Sequence, residues 1–189
     1  MARAYIGLGS NLGDGKDNLR RAWQLLGERA GIKLETLSSP YLTRPMPKPE
    51  WLRTGRQVGE QLFTNAVGMV ESRLLPLELL AAMQEIEVGL GRDRSQTVDR
   101  PVDLDLLYYD DLVLAWGELL LPHPELQNRR FVLVPMLEVA PEFRHPVLGQ
   151  TTSQLLAALP VGDAGEITRQ NWQITMGNGA GISARQRDA

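Results

Sequence analysis

The chain has 189 residues, an ordinary globular composition and a formal net charge of -3, enough for one domain with a buried core. That charge offers no global attraction to nucleic acid or an anionic membrane, and the absence of cysteine excludes disulfides, thiolate metal sites and a cysteine nucleophile. No apolar run is long enough to span a bilayer, and the first residues lack a signal peptide's apolar core, so the expectation is a cytoplasmic protein without membrane or nucleic-acid partners.

Residues 4–8 form an apolar run closed by Gly9 and read as a central strand. Turn formers fill residues 9–15. A helix follows over 16–30, where Leu19, Trp23, Leu26 and Ala30 recur at helical spacing before Gly31. The glycine spacing fits neither the dinucleotide fingerprint nor a Walker-type loop, so this segment reads as a tight strand-to-helix turn. Residues 32–42 read as a second strand. It runs into Thr43-Arg44-Pro45-Met46-Pro47-Lys48-Pro49, where alternate prolines stiffen the chain and prevent pairing. The segment to Glu60 has no periodicity and is either a surface insertion or a functional loop.

Residues 61–72 return to strand. Phe63, Asn65, Val67 and Met69 share one face; Thr64, Ala66, Gly68 and Val70 share the other. Asn65 in an apolar row must find partners, from the backbone or from a ligand. Residues 76–88 read as a helix with Leu77, Leu80, Ala81, Gln84 and Val88 as its stripe and Pro76 near its start. Gln84 and Glu87, three apart, sit on neighbouring positions. A polar segment with Arg92, Arg94 and Arg100 then leads into Val102-Asp103-Leu104-Asp105-Leu106.

That strand places Val102, Leu104 and Leu106 on one side and Asp103 and Asp105 on the other, the two acids roughly 7 Å apart along the backbone. By itself an Asp-x-Asp pair can be a solvated sheet face. Beside arginines it also suits Mg2+, which takes carboxylates, waters and substrate phosphates. Asp110-Asp111 makes a turn and residues 112–114 a short return strand. His123 lies pinned between Pro122 and Pro124; it is either structural or a donor to anions. A helix opens near Asn128, with Val132, Pro135, Met136 and Val139 as apolar positions, and its N-terminal end can face anions. His145, in a Pro-rich loop, reads as structural. A last helix covers 152–159, and in the tail Trp172, Ile174 and Met176 alternate as in a strand that adds an edge, covers the core or pairs with another subunit.

Five segments in order resemble the 6-hydroxymethyl-7,8-dihydropterin pyrophosphokinases of folate biosynthesis. They are Tyr5-Ile6-Gly7-Leu8-Gly9-Ser10-Asn11-Leu12-Gly13, Asn65-Ala66-Val67, Gln84 to Glu87 with Gly91 to Arg94, Arg100 to Leu107, and Pro122 to Leu133 with Ala140-Pro141-Glu142. The resemblance implies a ferredoxin-like α/β sandwich of the α+β class over residues 1–160, with 161–189 as an accessory C-terminal tail. The element order strand-helix-strand-strand-helix-strand agrees independently. It implies pyrophosphoryl transfer from ATP to 6-hydroxymethyl-7,8-dihydropterin, two Mg2+ ions, and a monomer or weak homodimer.

By position, the resemblance implies that Asp103 and Asp105 hold the metal and that Arg92 and Arg100 are catalytic. Gln84, Glu87, Arg92, Arg94, Arg100, His123 and Arg129 then line the ATP site. Thr43, Arg44, Pro45, Met46, Phe63, Asn65, Asp103 and Phe131 line the pterin site. Departures concentrate in the lid: Val98-Asp99 stands where the family has Gly-Pro, and the segment before Arg100 is shorter and lacks tryptophan. The alternative is a catalytically weakened paralogue that binds pterin or nucleotide. A ferredoxin-like nucleic-acid module ranks below both, because it would want basic and aromatic residues where this sheet carries acids.

Overall fold

Alternation of Ala4, Ile6 and Leu8 with Tyr5, Gly7 and Gly9 builds a central strand, β1 (Ala2–Ser10), buried on both faces. The computed structural model describes residues 1–45, 61–93, 99–160 and 167–172. On one side β1 pairs antiparallel with β4 (Phe63–Ser72), from Ala2 opposite Ser72 to Ser10 opposite Thr64. On the other side lies β5 (Asp103–Tyr109), also antiparallel, with Gly9 opposite Asp103 and Gly7 opposite Asp105. The far edge of β4 carries β2 (Ile32–Leu37) and then β3 (Tyr41–Thr43). Outside β3 lies β8 (Thr168–Arg169), giving the order β5-β1-β4-β3-β8.

The strand expected over 32–42 is therefore two strands. Pro40 has no N–H for a ladder, and Ser38 bridges the break. Its N–H donates to Val67 O at 2.9 Å and its Oγ accepts from Val67 N at 3.0 Å.

Two helical layers cover the sheet. Ile6, Leu8, Ala66, Val70, Leu104 and Leu106 face α1 (Gly15–Glu28) and α2 (Pro76–Gly89), which bring Leu19, Leu26, Leu79 and Met83. The other face carries Tyr5, Val67, Leu107 and Tyr108 against α3 (Arg130–Val139) and α4 (Thr152–Ala158). Each fully buried leucine contributes about 1.5–3 kcal/mol, so the two layers clamp the sheet from both sides.

The elements depart from expectation where periodicity is weakest. The buried face of α2 is Leu79, Met83, Ile86 and Glu87, not the stripe through Leu77 and Val88, which are 46% and 59% exposed. α2 is apolar over most of its circumference, so contact with the sheet, not spacing, selects the face. The return strand expected at 112–114 is instead β6 (Leu114–Trp116). It forms a separate hairpin with β7 (Leu119–Leu121). Asp110 adopts φ 46° and Leu112 N–H closes back on Tyr109 O at 3.0 Å, so the chain is still turning there. Asn128 ends a 3-10 turn (Leu126–Asn128) and does not cap α3; the cap position is Arg129, without a side-chain hydrogen bond to the helix. α4 has a capping box of Thr151 and Gln154. His145 is buried, its Nδ1 accepting from Val147 and Leu148 N–H, which agrees with a structural role. Among the described residues no helix is long and apolar enough to cross a membrane.

One contact fixes how α1 seats on the sheet. A Cβ built on Gly68 would lie 2.2 Å from the Trp23 ring, so the indole rests directly on β4. Gly68→Ala is expected to force Trp23 aside and destabilise the fold by about 1–3 kcal/mol. The check is a thermal melt. Gly68 belongs to the face away from the acids, so the variant's turnover per folded molecule should match the parent's.

Candidate active site

The sheet brings the expected metal and pterin residues into one row. Asn65 on β4 pairs with Gly9 on β1, and Gly9 pairs with Asp103 on β5, all on the face that holds α3. Two strand spacings separate Asn65 from Asp103, about 10 Å. Glycine between them leaves the middle of the row without a side chain. A Cβ on Gly9 would lie 3.4 Å from Asn65 Oδ1 and 3.8 Å from Asp103 Cβ. Gly7, the next residue of β1 on this face, stands opposite Asp105. The role of these glycines as floor was missed from the sequence. The visible signal was Gly-x-Gly inside a strand, a pattern that weakens a strand unless something approaches its backbone closely.

Asp103 is held by two guanidinium groups. Arg92 Nη1 donates to Oδ1 at 2.5 Å and Arg100 Nη2 to Oδ2 at 2.5 Å. Arg92 also bonds Glu87. Glu87, 2% exposed, accepts the backbone N–H of Leu104 at 2.7 Å. β5 is the edge strand, and this carboxylate satisfies a group that no neighbouring strand can take. Paired with Arg92 and hydrogen-bonded to β5, Glu87 escapes the cost of an unpaired buried charge. Gln84, a turn earlier, is half-buried. Arg94 lies outside the described residues.

The chain just before Asp103 is tied down by a residue to which the sequence assigned no role. Asn11 Nδ2 donates to Asp99 Oδ1 at 2.8 Å, and Asn11 Oδ1 accepts from Arg100 N at 2.9 Å. Asp99, the departure beside Arg100, is thus engaged by an amide. Val98 lies outside the described residues. Among the described residues, Arg100 Nε is a buried donor without a hydrogen-bond partner, a position an anion would satisfy.

Burial raises the Asp105 pKa above the ordinary carboxylate range, and Asp103 adds to the rise; His123, Arg129 and Arg100 oppose it. His123 sits on the free edge of β5, its N–H donating to Leu107 O at 2.9 Å, after a cis Leu121–Pro122 peptide. Burial lowers its pKa against the pull of Asp105. Its Nδ1 accepts from Glu125 N at 3.3 Å, which leaves Nε2 to carry the proton of the neutral ring. The Arg129 guanidinium carbon lies 5.8 Å from the Phe131 ring centroid, over the first turn of α3.

On the other side of the row, Asn65 is buried and its Nδ2 donates to Thr43 Oγ1 at 2.8 Å. Phe63 stands opposite Thr43, and Phe63 and Phe131 are both half-buried. Arg44 is exposed and Pro45 half-buried. Met46 and the rest of the Pro-rich segment to residue 60 lie outside the described residues. The glycine turn before α1 is no phosphate cradle. Asp14 Oδ1 accepts from Asp17 N at 3.1 Å, so the helix start is already capped, by an acid.

A buried amide and two acids on one face of an antiparallel sheet, with two guanidinium groups beside the acids, define a small α+β protein with polar and charged side chains gathered on one sheet face. The chain belongs to the 7,8-dihydro-6-hydroxymethylpterin-pyrophosphokinase (HPPK) family, whose model matches residues 5–141. It is 38% identical over 156 residues to the 2-amino-4-hydroxy-6-hydroxymethyldihydropteridine pyrophosphokinase of Synechocystis sp., covering 81% of this chain and 74% of that one. It is 35% identical over 158 residues to the folic acid synthesis protein fol1 of Schizosaccharomyces pombe, covering 83% of this chain but 20% of that longer protein. A crystal structure of Plasmodium falciparum HPPK-DHPS superposes with a TM-score of 0.64 at 16% identity, over 82% of this chain and 45% of that one. This last likeness shows the fold: helices and an antiparallel sheet in a common arrangement.

Proposed function

We propose that this chain transfers the pyrophosphoryl group of ATP to the hydroxymethyl oxygen of 6-hydroxymethyl-7,8-dihydropterin, with AMP as the other product, in folate synthesis. The observation that carries the proposal is the row Asn65–Gly9–Asp103, in which a buried amide and the acid pair share one face with a glycine between them. The curated relatives' names support the same reaction. Strand order and the two helical layers support a ferredoxin-like sandwich over residues 1–160, with 161–189 as an accessory tail.

Asp103 and Asp105 would hold the two Mg2+ ions. Their hard oxygen donors suit the ion, which needs few carboxylates when substrate phosphates and water complete its shell. Burial beside Asp103 also disfavours the Asp105 charge, which a bound cation would relieve. When bound, Mg2+ would polarise the reacting oxygens and offset the phosphate charge. Arg92 and Arg100 would exchange Asp103 for the triphosphate, and the unpartnered Arg100 Nε would gain an acceptor. His123 Nε2–H, Arg129 and Arg94 would donate to the same anion, and Gln84 and Glu87 would line the nucleotide side. Asn65 would read the pterin's donor–acceptor edge. Phe63 and Phe131 would stack on its ring, and residues 43–46 would supply backbone contacts. Catalysis is then mainly positioning and charge stabilisation.

The test is AMP formation from ATP and the reduced pterin, with and without Mg2+. AMP that depends on both pterin and Mg2+ is expected. A protein that binds both substrates but forms no AMP would instead be the weakened paralogue.

A further inference from the structure

The segment 167–172 lies outside the stretch the family model matches, yet its hydrogen bonds go to residues 38–42 and to Glu138 of α3. Thr168 and Arg169 pair with Leu42 and Tyr41. Gln170 N–H donates to Pro40 O at 2.8 Å. Arg169 Nε reaches Ser39 Oγ at 3.0 Å and Glu138 Oε1 at 2.9 Å. Trp172 Nε1 donates to Ser38 O at 2.9 Å, and its ring packs on the core.

What the segment grips is the outer side of a short strand whose other side pairs with β4. β3 has three residues, and without β8 it would be a sheet edge. It enters directly into Thr43, whose hydroxyl receives the Asn65 amide proton at 2.8 Å. Glu138 joins the same knot from α3. It accepts from Ser39 N at 2.7 Å and Tyr41 Oη at 2.6 Å, linking β3 to the helix that carries Phe131 in its first turn.

We infer that residues 167–172 form a strap that positions Thr43 and Asn65 for the pterin, with Arg169 and Trp172 as positioning residues. This rests on the pterin-site reading above. Neither side chain contacts the acids or arginines of the nucleotide side in any bond described, so the strap acts on one substrate and not the other. Loosening it lets β3 drift and Asn65 lose the partner that fixes its amide. Binding of a ligand read by that amide then weakens.

The experiment uses the full chain with the double substitution Arg169→Ala, Trp172→Phe. Trp172→Phe keeps an aromatic ring in the core while removing the N–H and part of the ring. Calorimetric titration measures the pterin in the presence of a non-hydrolysable ATP analogue, and the analogue alone. The expected result is a pterin Kd raised about tenfold, as for the loss of a few hydrogen bonds, with the analogue's Kd unchanged. The same double substitution in an Asn65→Ala background should have much less effect, because the strap acts through Asn65. An unchanged pterin Kd, or equal weakening of both ligands, would overturn the inference. Asn65→Ala alone separates it from its premise. If that variant binds pterin like the parent, the pterin-site reading falls and the strap's role with it. If it binds weakly while the strap variant binds normally, the strap alone is refuted.

Discussion

Asp105→Asn is expected to lower AMP formation by about 10³-fold or more while the protein stays folded. The substitution keeps the shape of the side chain and removes the charge that would hold a cation, worth several kcal/mol of transition-state stabilisation, with about 1.4 kcal/mol for each factor of ten. Its effect on stability has the opposite sign. Burial and the Asp103 charge raise the Asp105 pKa in the folded protein. A carboxyl raised on folding costs stability as pH climbs from its ordinary value through the raised one, because the unfolded chain releases the proton more readily. Asn removes that cost, so the melting temperature at neutral pH should be level with the parent or higher. Rate assays and thermal melts run side by side separate the two effects. Near-parental turnover in a folded variant would rule out the metal assignment. Asp103→Asn is a less clean probe, since Asp103 also anchors Arg92 and Arg100.

Gly9→Val should leave the fold intact and close the site. At Gly9 a Cβ meets Asn65 Oδ1 at 3.4 Å and Asp103 Cβ at 3.8 Å, which is ordinary contact, and a β-branched residue suits a central strand. The additional methyl groups would occupy the floor between the amide and the acids. The expected outcome is a pterin affinity lower by about 10²-fold, as for a misplaced or excluded substrate, with Gly9→Ala intermediate. Titration of the pterin across the pair, with circular dichroism as a fold control, provides the measurement. Parental affinity in Gly9→Val would show that the pterin does not lie over this row.

Much of this site could be read from local pattern. Alternation placed Asp103 and Asp105 opposite Leu104 and Leu106, and both leucines are buried in the core while the acids are not. The same period of two put Asn65 on the face of Phe63 and Val67. The structural role of His145 and the absence of a Walker pattern near Gly13 were also readable, because each depends on residues close along the chain. The lid is where reading stopped. Val98 and Asp99 departed from the family pattern, yet the residue that engages Asp99 is Asn11, distant in sequence and adjacent across the ends of β1 and β5.

The sequence by itself determined element type, the inward and outward faces of the strands, and the chemistry available to the site. These follow from covalent geometry and side-chain character, which act over a few residues. Tertiary structure alone decided which face of α2 is buried, because α2 is apolar over most of its surface and the sheet makes the choice. It also decided that Glu87 caps the edge of β5 and binds Arg92, that Gly9 lies between Asn65 and Asp103, and that residues 167–172 pair with β3. Each joins segments far apart along the chain. Such pairings are set by strand order and register, which no local spacing encodes.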